Sequence, residues 1–387
     1  MTAVEQPTMT AADALAATRA LMPTISARAD EIEAARRLPA DLLEQLVGTG
    51  AFRLLLPPSH GGVGADLAGT MAVYEALSTA DASTGWTVMI GAASWHDLAG
   101  LPRATFDEIY ADGPDVIMAG AINPTGAIEA VDGGYRVTGR WGFASGCEHA
   151  HWIFGDCVEG VVDGVPQLRM ALFAPDEVVI EDTWQVFGLS GTGSHHFRVD
   201  DVAVPSDRTF PTLNDQPCID ATSVRVPTPA MVSCLVACVA VGTAQGALDD
   251  IVDLATHKVP ILDHAPLAAN PTFQLALANA DAELRAARSL LYDTAAWLWA
   301  TALSGDEPTL AERARVRAAA TWATARAAGV ADVAYHSAGG SSLYRDSPLQ
   351  RRLRDVHAVT QHFVVRPDTM TTAGAILAGN DIDVMVF

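Results

Sequence analysis

The stretch from Trp141 to His151, WGFASGCEHAH, gathers two aromatic rings, a hydroxyl, a thiol and two imidazoles into eleven residues. A strand, a short Ala-Ser-Gly turn and a second strand would put Phe143 and Ser145 at the lip of a β domain. A flat heteroaromatic cofactor needs that pair: an apolar face for the ring, and a hydroxyl to bond a ring nitrogen. An ordinary strand–turn–strand with an exposed serine accounts for the same residues. Downstream, FGLSGTGSHHFRVDDVAVP places Ser190, Thr192, Ser194 and three glycines in one loop before a strand. Bare backbone and hydroxyls suit a phosphate or the edge of a flavin, and a solvated loop has the same composition.

A third chemically rich stretch is HSAGGSSLYRDSPLQRRLRDVHAVTQHF. Gly339 and Gly340 break between two helices, and a helix from Pro348 carries Arg351, Arg352, Arg354, Asp355, His357 and His362. Five residues correspond to about 140° around a helix, so His357 and His362 are expected to face different ways, one toward a pocket. A satisfied structural histidine is the plain alternative for either. Trp86, Trp95, Trp184 and Phe187 could line an aromatic pocket, and core packing explains each equally well. His149 with His151 and His195 with His196 lack a carboxylate or cysteine at zinc spacing, so no metal site is expected. There is no G-x-S-x-G elbow, no Walker loop and no convincing G-x-G-x-x-G after a strand. Any nucleotide here is held by something other than a Rossmann turn.

Three zones of sequence must position these groups. From about Thr10 to Tyr110 the chain is rich in Ala and Leu, with a capping box at Thr10 and Asp13, Pro39 in a first helical turn, and a Gly/Pro loop from Pro57 to Gly69. Near Pro114 the runs become short, β-branched or aromatic, and the DGG and VDG turns read as hairpins. From about Pro229 the helices return in longer pieces. A capping box at Thr309 and Glu312 opens one of them, and Leu277, Leu284 and Leu291 repeat every seven residues. The expected fold is α+β and multidomain: an N-terminal helical domain over 1–114, a middle antiparallel β-barrel or sandwich over 115–227, and a C-terminal four-helix bundle over 228–387.

With half of its 387 residues hydrophobic and 18% charged, the chain is globular. Its net charge of −22 repels phosphate backbones and anionic lipid, so nucleic acid and membranes are not expected partners. The start, MTAVEQPTMTAADAL, lacks the basic and apolar regions of a secretory signal. The apolar run Met231 to Gly242 is too short to span a bilayer and reads as a buried helix. Five cysteines without a CxxC pair point to a reducing cytoplasm.

In this order, the pieces resemble the acyl-CoA dehydrogenase superfamily over nearly the whole chain. INPTGA (Ile122 to Ala127) resembles a degenerate form of that family's middle-domain entry motif, TGRWGFASG is similar to its flavin-contacting strand and turn, and GLSGTGSHHFRVDDVAVP to its middle-domain exit strand. AGGSSLYRDSPLQRRLRD is similar to its Gly-rich turn and final catalytic helix. The resemblance implies flavin contacts from Asn123, Phe143, Ser145, Thr192, Ser194, Gly339 and Gly340, with Lys258 where a basic residue for the pyrophosphate is expected. It also implies a homotetramer. The departures set the chemistry. Dehydrogenases of the family need a carboxylate to take the substrate's α-proton, and the matching place, nine residues beyond Arg354, is Phe363, preceded by His362. A second location for that base, in the first long bundle helix, offers only Asp249, Asp250 and Asp253.

A histidine in that place resembles the branch of two-component flavin monooxygenases. That branch implies reduced FMN or FAD from a separate NAD(P)H:flavin reductase, molecular oxygen, a C4a-hydroperoxide shielded from water, and a small aromatic or amine substrate. The catalytic residues so implied are His362, Ser145 and, in SWHDLAG, His96. An acyl-thioester dehydrogenase of the same fold is the alternative.

Overall fold

The computed structural model describes residues 9–212, 216–380 and 382. The first eight residues of the start that lacks a secretory signal lie outside them. Seven helices form the N-terminal part: α1 (Ala11–Ala27), α2 (Ala29–Ala35), α3 (Ala40–Gly48), α4 (Leu67–Ala80), α5 (Ala82–Ala93), α6 (Trp95–Leu98) and α7 (Arg103–Ile109). Thr10 and Asp13 cap α1 reciprocally, each side chain taking the other's backbone N–H. Asp81 caps α5 by accepting from Thr84 N at 2.7 Å, and eleven of that helix's twelve residues are buried.

The middle part is one seven-stranded sheet: β1 (Met118–Val131), β2 (Gly134–Ala144), β3 (Trp152–Val162), β4 (Val165–Phe173), β5 (Val179–Glu181), β6 (His195–Pro205) and β7 (Thr209–Pro211), in the order β5-β6-β2-β1-β3-β4-β7. The β1–β2 and β3–β4 hairpins turn at Asp132–Gly133 and Asp163–Gly164. Asp163 (φ 51°) and Gly164 (φ 81°) both occupy the left-handed region that a tight two-residue turn requires. The antiparallel expectation is corrected at one junction: β1 and β3 run parallel, making the sheet mixed. After β2, the chain reverses through residues 145–151. The outer edge of β2 is taken by β6, so β3 returns to the free edge of β1 instead.

Among the described residues five helices follow the sheet: α8 (Thr228–His257), α9 (Pro271–Ser304), α10 (Leu310–Ser337), α11 (Pro348–Val359) and α12 (Asp368–Leu377). In α9 the buried positions Phe273, Ala280, Leu284, Ala287, Leu291, Ala295, Leu298 and Ala302 recur every three to seven residues, one face of the helix. Alanines along α10, among them Ala320, Ala323, Ala327 and Ala331, are buried and leave room for α8 to approach closely. Among the described residues α8 is the one helix long and apolar enough to cross a membrane, yet 89% of its apolar window is buried within the protein. It forms the shared core, touched by α4, α5, α9, α10 and α11. The sheet's own core gathers on Trp141, Phe173 and Phe197.

Candidate active site

The site begins with a break in the alternation of β2. Trp141 points into the sheet core, stacks on Phe197 at 4.9 Å and donates through Nε1 to Asp156 O at 2.8 Å. The β2–β6 register slips between Trp141 and Ala144. Within that irregularity Phe143 adopts φ 65°, a left-handed conformation costing about 1–2 kcal/mol for a residue with a side chain. Its ring is 74% exposed, edge-on to Trp184 at 6.0 Å. A large apolar side chain held in a strained conformation and presented outward is positioned for a ligand rather than for the core. Ser145, two residues on, is buried.

The Ser145 hydroxyl sits in a chain of buried polar groups. Trp86 of α5 donates from Nε1 to Ser145 Oγ at 3.0 Å. Ser145 Oγ lies 2.8 Å from Ser194 Oγ, and Ser194 Oγ lies 2.7 Å from Thr192 Oγ1. Thr192 donates to the carbonyl of Leu189 at 2.8 Å. The neighbouring histidines serve the scaffold: His149 accepts from Leu38 N, His151 from Ile117 N, and His195 from Thr183 N and Trp184 N.

Helix α11 supplies the opposite wall and holds the Phe187–Leu189 turn. Arg354 donates to Phe187 O at 2.8 Å and pairs with Glu33 at 2.5 Å, while Arg351 pairs with Asp30. Asp355 accepts from Leu189 N at 2.7 Å. Burial, reinforced by the Asp81 charge, pushes the Asp355 carboxyl up to about 7. Gly188 fits because a Cβ there would lie 2.1 Å from Arg354 O. These contacts bring two sequence-distant loops together around one cavity.

That cavity, of about 600 Å³, is lined by Trp86, Phe143, Ser145, Trp184, Val186, Phe187, Gly188, Leu189, Thr192, Ser194, His357, Ala358, Gln361, His362 and Phe363. The expectation that His357 and His362 face apart is corrected, since both line it. Its premise was a helix continuing through His362, whereas α11 ends at Val359. The chain then turns, with His362 N bonded to Val359 O at 3.1 Å. His357 bonds Asp332 Oδ1 at 2.8 Å. His362 packs edge-on against Trp86 at 5.4 Å. Burial first, then the Arg317 charge, pulls the His362 imidazole down to about 4, so it is neutral at ordinary pH.

Five of the other candidate residues lie elsewhere. His96, in α6, lines a second, polar cavity of about 250 Å³ with Asp97, Phe210 and Thr212, and its Nδ1 is 3.2 Å from Thr228 Oγ1. Lys258 Nζ donates to Ala338 O and, at 2.8 Å, to Ser341 Oγ. With Gly339 and Gly340 it therefore closes the turn after α10, and none of the three lines the first cavity. Asn123 is exposed on β1. Asp250 pairs with Arg352 at 3.1 Å and Asp249 accepts from Gln245 at 2.9 Å. Neither they nor Asp253 reach the cavity, whose lining contains no carboxylate. Among the described residues no cluster of His, Cys, Asp and Glu could hold a metal. Sequence reading missed the indole of Trp86 as a donor to Ser145 and Asp355 as the anchor of the Leu189 turn. Arg354 and Asp355 were visible in the sequence, but the turn they hold, Phe187–Leu189, lies far away in it.

The lining fits a flavin on the evidence of its donor set. Aromatic side chains at Phe143, Trp184 and Phe187 would pack against a flat ring, and the buried Ser145 hydroxyl, backed by those of Thr192 and Ser194, would meet its polar edge. Comparison with known proteins agrees. Family models for the acyl-CoA dehydrogenase N-terminal and C-terminal domains match residues 12–98 and 234–367. Indole-3-acetate monooxygenase of Pseudomonas putida is 33% identical over 353 residues, 91% of this chain and 90% of that protein. The oxygenase subunit HsaA of a flavin-dependent monooxygenase from Rhodococcus jostii is 33% identical, covering 90% of this chain and 94% of its own. The crystal structure of the HsaA monooxygenase from M. tuberculosis superposes with a TM-score of 0.90 at 30% identity, covering 98% of this chain and 100% of that one. Fold, carboxylate-free cavity and relatives agree: the chain belongs to the flavin-dependent monooxygenases of the acyl-CoA dehydrogenase superfamily.

Proposed function

We propose that this chain is the oxygenase component of a two-component system that hydroxylates a small aromatic substrate, a phenol or an indole, in the cavity between Phe143 and His362. It would take reduced FMN or FAD from a separate NAD(P)H:flavin reductase and work as a cytoplasmic homotetramer built on a C-terminal four-helix bundle. The observation that carries the reading is the outward, left-handed Phe143 facing a cavity with a neutral histidine and no carboxylate.

Phe143 and Trp184, whose rings stand edge to face, would pack against the flavin ring, and Ser145 would meet its N5 edge. Bound reduced flavin supplies the two electrons with which one atom of O2 enters the substrate and the other leaves as water. Val186, Phe187 and Leu189 exclude water from the reacting centre. His362, neutral and facing the cavity, takes the proton from the substrate's O–H or N–H as oxygen is transferred. His96 has its place at the second cavity and is given no step. The dehydrogenase alternative lacks a base, since the family's carboxylate position is Phe363.

The test uses chemically reduced FMN or FAD, 18O2, and resorcinol and indole-3-acetate as first probes, without any reductase. One 18O atom in a hydroxylated product supports the reading. Hydrogen peroxide alone across a panel of phenols and indoles, together with dehydrogenation of an acyl thioester, contradicts it.

A further inference from the structure

The buried hydroxyls beside Phe143 have a direction, and it bears on which redox state of a flavin the site accepts. The carbonyl of Leu189 can only accept, so Thr192 spends its single hydroxyl proton there, at 2.8 Å. Thr192 must then accept from Ser194, at 2.7 Å. That commits the Ser194 proton, so Ser194 accepts from Ser145, at 2.8 Å. At its other side Ser145 accepts from the indole of Trp86, which can only donate, at 3.0 Å. Every proton in the row is thereby assigned, and Ser145 is left with an acceptor lone pair and no free proton. All four groups are buried, and the direction is fixed at both ends by groups that cannot reverse, the Leu189 carbonyl and the Trp86 indole.

We propose that the Leu189–Thr192–Ser194–Ser145 row makes this site selective for reduced flavin, with Thr192 and Ser194 as positioning residues. This rests on the reading that Ser145 meets flavin N5. Reduced flavin carries a hydrogen on N5 and donates to the Ser145 lone pair. Oxidised flavin presents a lone pair at N5 and meets another lone pair. The row thus discriminates by the direction of one hydrogen bond, with no change in cavity shape.

The experiment measures the affinity of the full chain for FMN and FAD, oxidised in air and dithionite-reduced under anaerobic conditions, by equilibrium dialysis. Ser194→Ala frees the Ser145 proton to turn toward N5. The preference for reduced over oxidised flavin should fall by about five- to tenfold, the range of one neutral hydrogen bond, chiefly through tighter oxidised binding. Thr192→Val should shift it the same way by less, and Thr192→Ser should restore the wild-type ratio. Trp86→Phe, which removes a donor without releasing the Ser145 proton, should change both affinities and keep their ratio. A ratio unchanged in Ser194→Ala, with both flavins bound, overturns the relay and leaves the flavin site standing. Binding of neither flavin by the wild-type chain overturns both.

Discussion

His362 carries its chemistry through being neutral. Burial against Trp86, with the Arg317 charge behind it, holds the imidazole at about 4, so it is unprotonated throughout the neutral range. His362→Ala should lower hydroxylation by about 10²–10⁴-fold, the usual weight of positioned acid–base help, while reduced-flavin affinity stays within a few-fold. Product assays beside dialysis check this, and unchanged turnover would remove His362 from the mechanism. The same shift has a stability consequence. In the unfolded chain the imidazole titrates near 6.5, so between pH 6.5 and 4 the unfolded state binds more protons than the folded one. The contribution is present above pH 6.5 and is lost as pH falls towards 4. His96, also depressed to about 4 by burial, acts with the same sign. Asp355 and Asp97, both raised to about 7, act oppositely, losing stability as pH rises. The wild-type urea midpoint minus that of His362→Gln should therefore shrink on going from pH 7 to pH 5. A difference that stays constant would show that His362 is not buried as a neutral group.

At the scale of elements, the site depends on α11 gripping the turn before β6. Asp355 satisfies Leu189 N, and Leu189 itself sits at φ 55°, so the bond offsets backbone strain in the segment that carries Thr192. Asp355→Ala leaves a buried N–H unpaired and should cost about 1–3 kcal/mol in urea unfolding, along with flavin affinity. Asp355→Asn keeps an acceptor oxygen and should cost much less; equal losses would mean that the carboxylate charge, not the bond, is what matters. Much of this element framework is readable from local signals. The Thr10 and Thr309 capping boxes, the two-residue hairpin turns and the Phe143–Ser145 pair all announce themselves within a few residues. What local signals do not carry is which edge a strand chooses. The alternation in β3 is the same whether it joins β2 or β1, and β6 decides by occupying the former. The end of α11 at Val359 has no glycine or proline to mark it, the next proline being Pro367. Trp86 reads equally as pocket wall or as core, and only the fold shows its indole reaching Ser145.

On the scale of the whole molecule, the cavity is a joint product of all three zones. Trp86 comes from the N-terminal helices, Phe143 to Ser194 from the sheet region, and His357 to Phe363 from the C-terminal helices. No single part contains the site, which is why the chemistry turns on the relative seating of these parts more than on any motif. On the proposed function, this assembled cavity binds reduced flavin and governs its reaction with oxygen. The most direct measurement mixes anaerobically reduced FMN or FAD, pre-equilibrated with the chain, against oxygenated buffer and follows the return of oxidised-flavin absorbance. The account predicts a return slowed by about tenfold or more relative to free flavin, with the delay lost in Ser145→Ala. A return indistinguishable from that of free flavin, at protein concentrations that bind it, would contradict the account.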